Sequence, residues 1–166
     1  MKHLLIALVL IGVNFAMAQQ TTPKTAFLEK WENAKNYTLE LAEAMPEDAF
    51  GFKPSERQMS FKEQLIHIKA NMDWLSTTYF NGTEPKAVTD TKANIIKSLE
   101  ASFDGVATAV AATNPETFAE TVDFFAGPKS KLQILNLLQD HLTHHRGQLI
   151  VYLNLKQVAP PRYVGW

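Results

Sequence analysis

The apolar residues of this chain predict an all-α fold, a four-helix bundle, and three observations carry that reading. Four long stretches repeat their apolar side chains every three to four positions, the period of one helix face. Proline, glycine and hydroxyl-bearing residues bound these stretches at the places where helices start and stop. The composition is 46% hydrophobic with no cysteine in 166 residues, so a packed core rather than disulfides must hold the fold.

The first eighteen residues read as a leader and not as part of that fold. Lys2 supplies a short positive start, Leu4 to Phe15 an apolar run, and Ala16-Met17-Ala18 a small-residue cleavage signal. That is the pattern of a secretory signal peptide cut before Gln19, leaving residues 19–166 as a single domain. The alternative is an uncleaved anchor, for which the apolar run is short against the roughly 20 residues of a membrane span. Without a cysteine there is no lipoprotein anchor, so no stable membrane attachment is expected after cleavage. The expected destination is the periplasm or the exterior.

The first helix is expected over Thr25–Met45, with Phe27, Leu28, Trp31, Ala34, Leu39, Ala42 and Met45 marking its rhythm. Pro46 ends it by removing a donor and disfavouring helix just before itself. An irregular connector follows to Met59, with Phe50 and Phe52 tucked against the bundle. Ser60 and Glu63 then form a capping box for a second helix running to about Tyr79, its stripe being Phe61, Leu65, Ile68, Met72, Leu75 and Tyr79. Asn81 to Pro85 is a turn cluster, and Asp90 is the expected cap of a third helix over Thr91–Thr113. Asn114-Pro115 breaks that helix. Thr117–Phe125 alternates loosely, as an extended segment or a hairpin arm. Ser130 caps a fourth helix to about Gln157, Pro160-Pro161 stops it, and Tyr163 and Trp166 are expected as docked aromatics of the tail.

Three of the five histidines fall within His141-Leu142-Thr143-His144-His145. Residues four apart share a helix face, so His141 and His145 can address one atom, while His144 lies about 100° away. Leu135, Leu138, Leu142, Leu149 and Tyr152 place the pair beside a buried stripe. A third ligand must come from elsewhere, and His67, on the edge of the second helix's stripe near Gln64, Asn71 and Trp74, is the natural one. A lone mid-helix histidine is more often a hydrogen-bonded core residue than a ligand; the pair is what raises the metal reading. Bundles build metal sites inward from facing helices, and three imidazoles from two helices would leave open positions for water or substrate. Arg146 and Gln148 read, on spacing alone, as surface residues.

Other chemistries are disfavoured. The residue after His141 is Leu142 rather than the glutamate of an HExxH protease, and no Cys-x-x-Cys-His is present for haem attachment, although a non-covalent bis-histidine haem stays open. No glycine-rich phosphate loop appears, and neither Ser55 nor Ser60 sits in a nucleophile elbow. A formal charge of −1 without a basic run argues against nucleic acid and anionic membranes. Homodimerisation through an apolar helix face stays open.

The run His141-Leu142-Thr143-His144-His145-Arg146-Gly147-Gln148, followed by an aromatic-containing helix end and Pro160-Pro161, resembles the DinB-like (DinB/YfiT) family. The Met45-Pro46 to Pro54-Ser55 connector and the histidine in Gln64-Leu65-Ile66-His67-Ile68 are similar too. The resemblance implies an up-down-down-up four-helix bundle with a divalent metal on His67, His141 and His145. Relatives of this kind include thiol-dependent S-transferases and a mycothiol-dependent isomerase, although export conflicts with a cytosolic thiol cosubstrate.

The expected function is therefore an exported protein that binds one divalent ion, Zn, Ni or Fe, through these three histidines. It would act as a metal-dependent transferase or hydrolase on a small molecule. His144, Arg146, Gln148 and Tyr152 are candidates for contacting substrate or supporting the ligands. The alternatives are a non-catalytic metal- or ligand-binding envelope domain, or histidines that are only structural.

Overall fold

The computed structural model describes residues 21–83 and 91–166. The leader and the Asp90 cap lie outside these. Four α-helices occur among the described residues: α1 (Pro23–Ala44), α2 (Phe61–Phe80), α3 (Lys92–Ala112) and α4 (Lys131–Leu155). A 3-10 turn at Pro115–Ala119 leads into a minimal antiparallel ladder, β1 (Thr121–Val122) with β2 (Lys129–Ser130). The loosely alternating segment is thus a 3-10 turn followed by a hairpin arm. No helix among the described residues is long and apolar enough to cross a membrane.

Each helix starts on a hydroxyl. Thr22, Ser60, Thr91 and Ser130 accept a hydrogen bond from the backbone amide three residues on, and the Ser60–Glu63 and Ser130–Gln133 pairs are reciprocal capping boxes. Each such cap is worth about 1 kcal/mol. The third helix is capped by Thr91, one residue later than the sequence suggests, because the Thr91 hydroxyl reaches the Asn94 amide. The first helix begins two residues early, since Pro23 is tolerated where an amide would be unsatisfied.

The helices form a closed ring in which α1 packs on α3 and α4, and α2 packs on α3 and α4. Cross-links give their directions. Lys24 at the start of α1 donates to the carbonyls of Ala111 and Thr113 at the end of α3 (2.9 and 3.0 Å). Lys92 at the start of α3 returns the arrangement, donating to Glu43 and Met45 at the end of α1 (both 2.8 Å). Each lysine thus neutralises the partially negative helix end opposite it, and α1 and α3 are antiparallel.

Gln64 near the start of α2 meets Tyr152 near the end of α4, so these two are antiparallel as well. Tyr37 lies beside Arg146, and Lys30 and Gln139 line one cavity, so α1 and α4 run parallel. The ends of α2 and α3 likewise line a shared groove. The topology is up-down-down-up.

The core gathers one face from every helix. Trp31 stacks on Phe27 at 5.1 Å and donates its indole N–H to the Phe103 carbonyl at 3.1 Å. Leu41, Leu65, Ile68, Leu99, Val106, Leu149 and Leu153 are fully buried, each worth about 1.5–3 kcal/mol of transfer free energy. Phe50 is buried and Phe52 packs against the core, with Phe61 and Lys62 amides bonded to the Phe52 and Phe50 carbonyls. The aromatics of the tail are docked only at their edges: Tyr163 meets the Tyr37 ring edge-on at 6.1 Å, yet Tyr163 and Trp166 stay 63% and 64% exposed, and Val164 is the tail residue that packs on the core.

Candidate metal centre

His67 on α2 and His141 and His145 on α4 converge, with their ligating nitrogens all within 4.8 Å of one another. The two helices bring them together because they are antiparallel neighbours, and the His141–His145 spacing stacks both rings on the side of α4 that faces α2. The Nε2 atoms of His67 and His141 stand 3.1 Å apart. Two ligands about 2.1 Å from one ion and separated by about 100° stand at that distance.

The tautomer of His145 is set by a chain of hydrogen bonds that begins at a backbone carbonyl. The Tyr152 hydroxyl donates to the Met59 carbonyl at 2.8 Å, which can only accept. The same hydroxyl therefore accepts from Gln64 Nε2, at 3.4 Å, and the other end of that amide, Oε1, faces His145 Nδ1 at 2.6 Å. An amide oxygen only accepts, so Nδ1 carries the proton and Nε2 keeps its lone pair. An imidazole whose far N–H is held by a carbonyl group is the usual arrangement around metal-bound histidine.

Burial, then the neighbouring imidazoles, lowers the pKa values of His141 and His145 to about 4. Both are neutral near pH 7, the state in which imidazole binds a metal.

The other candidate residues are dispersed. His144 is exposed and meets the His145 ring edge-on at 4.9 Å. Tyr152 is fully buried behind Gln64, its hydroxyl spent on Met59 and the amide. Gln148 is half-buried. Arg146 is not a surface residue, because α1 and the tail cover it to 5% exposure. Asp140, next to His141, is exposed.

The functional residue that sequence reasoning passed over is Gln64. It was visible as a polar side chain one turn before His67. Also on that face of α2, two turns beyond His67, Trp74 stacks on Phe124 at 5.9 Å and meets Tyr79 and Phe125.

A helical bundle with three convergent imidazoles on antiparallel neighbours defines a candidate metal-binding protein of the four-helix class. The DinB family model matches residues 17–163, and the chain belongs to the DinB family. It is similar to the uncharacterized protein YjoA of Bacillus subtilis (strain 168), with 24% identity over 125 residues, 72% of this chain and 81% of that protein. The crystal structure of that DinB-like protein superposes with a TM-score of 0.71 at 21% identity, covering 83% of this chain and 96% of the other. A DinB-like protein from Bacillus cereus ATCC 10987 gives 0.72 at 17% identity, covering 83% and 95%. These likenesses establish the fold.

Proposed function

We propose that this protein is an exported metal-dependent enzyme, a transferase or hydrolase acting on a small molecule. One divalent ion, Zn, Ni or Fe, is held by His67, His141 and His145. The observation that carries this reading is the convergence of three imidazoles, one of them locked by Gln64 with its ligating nitrogen free. When bound, such an ion supplies Lewis acidity toward a nucleophile or a polarised substrate atom.

The chain supplies the rest. Three ligands from two helices would cover one side of the centre, and the partial exposure of all three histidines is consistent with an open position on the other. The aromatic group around Trp74 offers an apolar surface on the same face of α2 for the body of a small substrate. Export is supported by the Lys2, Leu4–Phe15 and Ala16-Met17-Ala18 pattern.

A second reading, a non-catalytic metal- or ligand-binding envelope domain, shares the three ligands but needs no open coordination position, and is favoured by the placement of Asp140, the carboxylate next to His141 in the chain. That carboxylate points to solvent, and none joins the three-histidine group among the described residues. Cobalt substitution separates the two. An absorption spectrum that changes when a small thiol or azide is added demonstrates an exchangeable position and supports catalysis. A spectrum indifferent to both demonstrates a closed sphere and overturns the enzyme reading.

A further inference from the structure

Arg146 is the conspicuous side chain that the metal centre does not use. It follows His145, yet one residue along a helix turns about 100°, away from α2 and toward α1 and the tail. Its guanidinium lies over the Tyr37 ring at 5.1 Å. The groups that face its charge are the phenols of Tyr37 and Tyr163, with no carboxylate among them. Its Nη1 is buried and has no hydrogen-bond partner. A guanidinium does not shed its proton in a protein as an amine can, so the charge stays, and an uncompensated buried charge is strongly unfavourable.

Arg146 lines a small cavity between α1, α4 and the tail, with about 10 Å³ open to the centre of a bound particle. The polar residues lining that space are Lys30, Gln139, Thr143 and Arg146 itself, with no acidic residue among them. Val164 and Gly165 line it on the tail side. The tail is fastened there by the Asn33 amide, which donates to the Trp166 carbonyl. The Tyr163 ring folds back so closely that a Cβ on Gly165 would stand 1.9 Å from its hydroxyl.

We propose that this cavity binds one small inorganic anion of halide size, with Arg146 Nη1 as the principal donor and Val164-Gly165 as the cover. A water in the same place would satisfy the hydrogen bond and leave the charge uncompensated; an anion does both. The site lies on the side of α4 turned away from the imidazoles and does not depend on the metal reading.

The test is thermal unfolding of the full chain in sodium bromide and in sodium gluconate at equal ionic strength, gluconate being too large to enter. Each tenfold rise in bromide above its dissociation constant is expected to raise Tm by about 3–6 °C, and Arg146→Met is expected to abolish the difference between the salts. Equal melting in both salts, or an undiminished difference in the variant, would overturn the proposal. If the variant does not fold, bromide-soaked crystals of the unaltered protein decide. An anomalous peak beside Nη1 supports the site, and a water there without anomalous signal refutes it.

Discussion

His145 donates its Nδ1 hydrogen to Gln64 Oε1 across 2.6 Å, and this bond decides which nitrogen of the ring is free to bind. Gln64 is held in turn by Tyr152, and Tyr152 by the Met59 carbonyl. The chain joins the start of α2 to the end of α4 and gives the centre an orientation before any ligand arrives.

Replacing Gln64 with Leu removes that orientation while keeping the buried volume similar. Metal affinity should fall about 10- to 100-fold, the usual consequence of deleting a group that holds a metal-bound imidazole, with helical content unchanged. Competition against a chromophoric chelator measures it. Tyr152→Phe should weaken affinity less, since Gln64 stays in place, and should cost about 1–2 kcal/mol of stability because the Met59 carbonyl loses its partner.

The metal-free protein should lose stability in mildly acidic solution. His141 and His145 titrate near pH 4 in the folded state against 6.5 as the ordinary value, so the unfolded chain binds protons first as pH falls. Their contribution is fully retained above about pH 6.5, declines as pH falls toward 4, and levels off below. Urea unfolding of chelator-treated protein across this range checks the sign. Stability that rises between pH 6.5 and 4 would contradict it.

The contact between α2 and α3 contains a buried polar group unrelated to the centre. Lys69, 8% exposed, pairs with Asp73, which also accepts from the Ser102 hydroxyl at 2.6 Å. Asp73→Ala leaves the ammonium buried without a partner and should cost about 3–5 kcal/mol, lowering Tm by roughly 10 °C. The metal bound per folded chain should not change. A melting scan paired with elemental analysis tests both halves.

Much of this architecture was legible in the chain itself, for local reasons. Ser60–Glu63 and Ser130 mark helix starts through bonds spanning three residues, and the His141–His145 spacing places both rings on one face whatever surrounds them. Periodicity also located His67 at the edge of a buried stripe.

What sequence reading missed depends on partners distant in the chain. Arg146 looks like a surface residue because nothing near it in sequence can bury it; α1 and the tail do. The role of Tyr152 depends on a carbonyl 93 residues away. Tyr163 and Trp166 stay largely exposed, while Val164 is the partly buried tail residue that packs on the core.

The central claim is that His67, His141 and His145 act together as one centre, and elemental analysis tests it most directly. The purified protein is compared with its His141→Ala variant after both are incubated with Zn, Ni or Fe and exhaustively dialysed. About one ion per chain should remain in the unaltered protein and none in the variant, with the same far-ultraviolet circular dichroism for both. Equal metal in the two proteins, or none in either, would contradict the account.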